Sequence, residues 1–101
     1  MNLRVFSDDD GKLHAEISSP VLKYRWKLFV PLVETSSSRL KDIDPKTLVH
    51  VWYNDREYHV PYLLVHSQDM RLKDWKHVGI LEENNSRDIL NNILDVLAWD
   101  P

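Results

Sequence analysis

From Leu22 to Leu32 the side chains alternate with a period of two. Leu22, Tyr24, Trp26, Leu28, Val30 and Leu32 share one phase, and Lys23, Arg25 and Lys27, followed by Phe29, share the other. Successive side chains of a strand point to opposite faces, so this pattern specifies a long strand with an aromatic-rich inner face and a basic outer face. Pro31 lacks an N–H and places the end of that strand at a sheet edge or a bulge.

The flanking segments follow the same period. Leu3 and Val5 with the flanking Arg4 and Phe6 form a short strand, Ser7 to Gly11 form a turn with Asp10-Gly11 as its strongest signal, and Leu13, Ala15 and Ile17 alternate with Lys12, His14, Glu16 and Ser18. Residues 34–46, with Thr35-Ser36-Ser37-Ser38 and Asp44-Pro45, form the longest polar loop. A second hairpin runs from Leu48 to Tyr53 and from Glu57 to His66 around Asn54-Asp55-Arg56. Val49, Val51, Tyr53, Tyr58, Val60, Tyr62 and Leu64 share its inner face, and Pro61 moves its second arm toward an edge. Residues 68–75 fit a short helix or an irregular crossover. Val78 to Leu81 form a last short strand. Asn84, Asn85 and Ser86 then offer N-caps to a helix reaching about Ala98, with Ile89, Leu90, Ile93, Leu94, Val96 and Leu97 on its apolar side.

The expected fold is therefore α+β, mainly β. About six antiparallel strands form a curved sheet or partly open barrel, closed by one C-terminal amphipathic helix, in a single domain over residues 1–101. In element order alone it resembles pleckstrin-homology-like domains, an analogy that carries no function. A chain of 101 residues, 43% apolar, buries roughly two-thirds of its unfolded surface and so supports one real core.

Composition excludes more than it identifies. With no cysteine there is no disulfide, thiolate nucleophile or thiolate metal site, and a cytoplasmic setting is expected. Two glycines, Gly11 and Gly79, cannot build a phosphate-cradling loop. The formal charge of −3 disfavours a bulk-basic nucleic-acid binder. The start of the chain does not read as a signal peptide, and no apolar run spans a bilayer. Ser36, Ser37 and Ser38 lack a nucleophile elbow, and no cofactor motif occurs, so no enzymatic activity and no cofactor are expected.

Three features remain as candidate sites. Lys23, Arg25 and Lys27 form a basic row with side chains about 6 to 7 Å apart, suited to tracking phosphates with Phe29 stacking on a base, or simply to keeping a strand edge solvated. His50 and His59 face each other in one register of the second hairpin, with Cβ atoms about 5 Å apart. They would share a divalent metal with Glu57 or His66 as third ligand, or else be ordinary surface histidines. Of four tryptophans, Trp26 belongs to the core by phase, Trp52 to the opposite and exposed phase, and Trp99 packs back from beyond the helix. Asp8-Asp9-Asp10-Gly11 fails as a calcium loop because Lys12 stands where an oxygen ligand is needed.

The function expected from these features is a small non-enzymatic binding domain acting through a protein–protein interface, as an adaptor, inhibitor or immunity-type protein. Its contacts would come from Lys23, Arg25, Lys27, Phe29, Trp52, His50 and His59. The alternatives are nucleic-acid or anionic-lipid binding through the basic row, and a metal-dependent protein built on His50 and His59.

Overall fold

The computed structural model describes residues 1–19, 21, 25–71 and 74–97. Leu22, Lys23, Tyr24, Leu72 and Trp99 lie outside the described residues, as does the side chain of Leu97. Seven antiparallel strands form one open sheet: β1 (Arg4–Ser7), β2 (Leu13–Glu16), β3 (Trp26–Glu34), β4 (Leu48–Tyr53), β5 (Arg56–Pro61), β6 (His66–Asp69) and β7 (Lys76–Ile80). Helix α1 (Glu83–Leu97) follows. Their order is β4-β5-β3-β2-β1-β7, with β6 on the same edge of β3 as β5.

The seventh strand arises from two prolines. The β3–β5 ladder pairs Val33 with His59 and Glu34 with Tyr58. The next outward pairs along that register would bring Pro31 opposite Pro61. Neither can donate a ladder hydrogen bond. The chain leaves the ladder there, turns through residues 62–65 with Leu64 N–H donating to the Pro61 carbonyl at 2.8 Å, and rejoins β3 as β6. Its new register pairs Phe29 with His66 and Trp26 with Asp69. The single arm expected from Glu57 to His66 is thus two strands, and β5 is an interior strand. The edge is β4.

The main core is formed by Leu3, Val5, Ala15, Val30, Leu32, Val49, Val51, Tyr53, Tyr58, Val60, Leu81 and Ile89. The sheet curls enough for Tyr53, on edge strand β4, to reach Gly79 on the opposite edge strand β7. A Cβ at position 79 would run into the Tyr53 hydroxyl and lie 3.1 Å from its Cζ. Glycine is therefore required at that point by close approach.

Two expectations about burial are corrected. Trp26, placed in the core by phase, is 53% exposed, and Leu28 is exposed with it. Phe29 and Lys27, placed on the outer face, are buried. The alternation is right about which residues share a face. The cover, however, lies over different parts of the two faces. The inner row continues past the curled core into solvent at Leu28 and Trp26. The outer side of β1, β2, β3 and β6 is roofed by a second cluster. There Phe29 meets Phe6 edge-on at 5.5 Å and Trp75 at 5.0 Å, and Trp75 stacks on His14 at 4.3 Å. Residues 68–75 therefore supply the end of strand β6 and the Trp75 roof, with no helix among those described.

The helix also departs from expectation. It begins at Glu83, with Ser86 N–H donating to the Glu82 carbonyl at 3.0 Å. Asn84, Asn85 and Ser86 therefore lie inside its first turn rather than at its cap. Two of them attach the helix to the sheet. Ser86 Oγ accepts from Leu3 N–H at 3.0 Å, and Asn85 bonds to β4 at Trp52. Ile89 is fully buried, and Leu90 and Ile93 pack partly against the core. Leu94 and Val96 are exposed, so the apolar side expected along the whole helix is covered only as far as Ile93.

Among the described residues no helix is long and apolar enough to cross a membrane.

Candidate functional site

The turn between β4 and β5 consists of Asn54 and Asp55, both at positive φ (50° and 61°). Two residues in that conformation make a type I′ turn, whose twist matches the flanking strands. Asn and Asp tolerate the left-handed region better than other side chains. The turn fixes the register: Tyr53 opposite Arg56, Trp52 opposite Glu57, Val51 opposite Tyr58 and His50 opposite His59. Antiparallel pairs alternate between hydrogen-bonded and non-hydrogen-bonded, and the pair closing a two-residue turn is hydrogen-bonded. Trp52–Glu57 and His50–His59 are therefore non-hydrogen-bonded pairs, whose side chains stand closest together.

One patch on the outer face of this hairpin thus gathers His50, Trp52, Glu57 and His59. The imidazole centroids of His50 and His59 are 4.2 Å apart with planes at 61°. His50 Nδ1–H donates to Glu57 Oε1 at 2.7 Å. Trp52 is 57% exposed, as its phase requires. Its backbone is nonetheless held from outside: Asn85 Nδ2 donates to the Trp52 carbonyl at 3.1 Å, and Trp52 N–H donates to Asn85 Oδ1 at 3.4 Å. The outward polar groups of an edge strand are normally a liability for unwanted pairing. At Trp52 the side chain of Asn85 satisfies them.

Among the described residues, the other candidates do not join this patch. Arg25 is exposed, and its guanidinium lies 3.0 Å from the buried Asp69 carboxylate. Lys27 is buried, and its Nζ donates to the Ser19 carbonyl at 3.3 Å. Lys23 lies outside the described residues. Arg25 and Lys27 therefore do not share an open row, and Phe29, fully buried, is not available to stack on a base. His66, the other suggested metal ligand, sits in the roofed cluster beside Phe29 and Trp75, and its Nδ1 lies 2.9 Å from Gln68 Nε2.

Two features escaped sequence reasoning: the Asn85 clamp and the outer cluster of Phe6, His14, Phe29, His66 and Trp75. The clamp has no local signature, because Asn85 and Trp52 are far apart in sequence. The cluster has one. In β3 the residues of the second phase, Phe29, Pro31 and Val33, are apolar as well, and apolar residues on both phases signal a strand covered on both faces.

The outer cluster makes stability depend on pH. Burial, with the charge on His14 adding to it, holds the His66 imidazole below its ordinary 6.5. Burial pushes Asp8 up, but hydrogen bonds from His14 and from the backbone N–H groups of Lys12 and Asp10, with the His14 charge, outweigh it and leave the carboxyl below 3.8. His14 Nε2–H donates to Asp8 Oδ2 at 2.8 Å. In both cases the unfolded chain takes up its proton at higher pH than the folded one, so stability falls as pH falls. The His66 contribution begins below 6.5 and the Asp8 contribution below 3.8. The urea midpoint should drop between about pH 7.5 and pH 5.5, and His66→Gln should reduce that drop. A midpoint constant over this interval would contradict the partly buried placement of His66.

No family model matches the chain, and no curated protein matches it.

Proposed function

We propose that this chain is a non-enzymatic binding domain that engages another protein through the outer face of the β4–β5 hairpin, with Trp52 as the central contact. The observation that carries the proposal is an exposed indole on a backbone held in place by Asn85. An exposed tryptophan leaves apolar surface in water, and tryptophan is among the residues that contribute most to protein interfaces. A backbone already fixed loses little conformational freedom on binding, which favours affinity. His50, Glu57 and His59 around it provide polar and ionisable groups of the kind found at an interface rim. The cysteine-free composition suits a reducing, cytoplasmic setting.

A photo-crosslinking amino acid at position 52 tests this, with Lys76, exposed on β7, as the control position. Adducts to a discrete protein should form from position 52 and not from 76. Trp52→Ala should then weaken binding of that protein by about 30-fold or more, the effect of removing an interface hot spot, and leave the urea midpoint unchanged. Capture of nucleic acid or anionic lipid instead, with binding that weakens steeply as salt rises, would replace this reading by phosphate recognition.

A further inference from the structure

The three residues at the rim of that surface, His50, Glu57 and His59, also form a constellation of their own. His50 and His59 are a non-hydrogen-bonded cross-strand pair, and Glu57 lies on their face one step toward the turn. One ligand atom from each of the three residues can be chosen so that all lie within 4.8 Å of one another. His59 Nδ1 is a buried nitrogen with no hydrogen-bond partner among the described residues. His50 is exposed and Glu57 partly so, so an ion would have access from solvent.

We propose that His50, Glu57 and His59 bind one zinc ion. Two imidazole nitrogens and one carboxylate oxygen are a donor set that zinc accepts in sites with three protein ligands, where a fourth position stays open to water. Zinc takes its nitrogen and oxygen ligands at about 2.0–2.2 Å, so tetrahedral ligand atoms stand about 3.4 Å apart. The side chains have to close by little more than an ångström, through rotations that the exposed His50 and Glu57 are free to make. Binding replaces the His50–Glu57 hydrogen bond, whose 2.7 Å length shows that these two groups already converge. The backbone does not have to move, because the type I′ turn has set the register. Hard cations such as magnesium and calcium prefer all-oxygen sites and are not expected to compete.

The test is calorimetric titration of the full chain with zinc chloride, followed by the imidazole resonances of the five histidines. One zinc should bind per chain, shifting His50 and His59 and leaving His14, His66 and His77 in place. His50→Ala and His59→Ala should each weaken binding by at least about tenfold, since even outer-shell changes at metal sites cost 10- to 100-fold. Glu57→Gln should weaken it as well, and magnesium should not compete. Circular dichroism and urea midpoints of the variants separate ligand loss from unfolding. His50 is exposed, so its variant remains a fair test whatever happens to His59. The site does not depend on Trp52 or on a protein partner, and Trp52→Ala should leave zinc affinity unchanged. The proposal is overturned if zinc binds equally well to the His50→Ala, His59→Ala double variant, if the shifted resonances belong to His14, His66 or His77, or if no heat of binding is seen.

Discussion

Arg4→Ala should destabilise the fold by about 3–5 kcal/mol, the effect of leaving a buried charge unpaired. Glu16 is 2% exposed, yet it carries a carboxylate. Arg4 satisfies it through Nε and Nη2, with hydrogen bonds of 3.0, 2.9 and 2.8 Å. The two residues stand on the outer side of neighbouring strands, one step beyond the Val5–Ala15 pair. Removing Arg4 takes away the guanidinium that satisfies this buried carboxylate. Replacing both residues by methionine removes the charges together and should recover much of the loss, as replaced buried ion pairs commonly do. An exposed pair such as Arg56–Glu34, 3.9 Å apart, is expected to contribute less than about 1 kcal/mol. Urea unfolding of the three variants checks this. If Arg4→Ala and Arg56→Ala have equal effects, the Glu16 carboxylate is not buried as described.

The second large effect concerns the helix. Ile89→Ala should cost about 2–5 kcal/mol, the range for emptying a buried aliphatic site. Leu94→Ala, five residues later, should change stability by no more than about 0.5 kcal/mol, as surface substitutions do. Ile89 is fully buried and packs in the main core, whereas Leu94 is 60% exposed. The contrast follows from where the helix is attached. Ser86 and Asn85 fasten its first turn to Leu3 and to β4, Ile89, Leu90 and Ile93 carry the packing onward, and Leu94 stands away from the core. Equal costs at the two positions would mean that the second half of the helix is covered in solution.

Much of the candidate site was legible in the sequence. The alternation of β4 and β5 put His50, Trp52, Glu57 and His59 on one outer face, and Asn54-Asp55 is a turn signal whose mechanism fixes the register that pairs the two histidines. The basic row failed for a reason visible in Lys27. Period two reports which residues share a face, but whether water or another layer covers that face depends on segments remote in sequence. Trp75, folded over β2 and β3, is such a segment.

The sequence by itself determined the period-two strands of β2, β3 and the β4–β5 hairpin, the mainly β class with one closing helix, and the faces of that hairpin, because these depend on neighbours within a few residues. Only the tertiary structure decided which faces are dry. Phe29 is buried and Trp26 exposed because the outer cluster roofs one side of β3, while the inner apolar row outruns the curled core on the other. It also decided where β5 gives way to β6. Pro61 leaves the ladder where its register would meet Pro31, thirty positions away in the chain, and a ladder cannot continue through two residues that both lack an N–H.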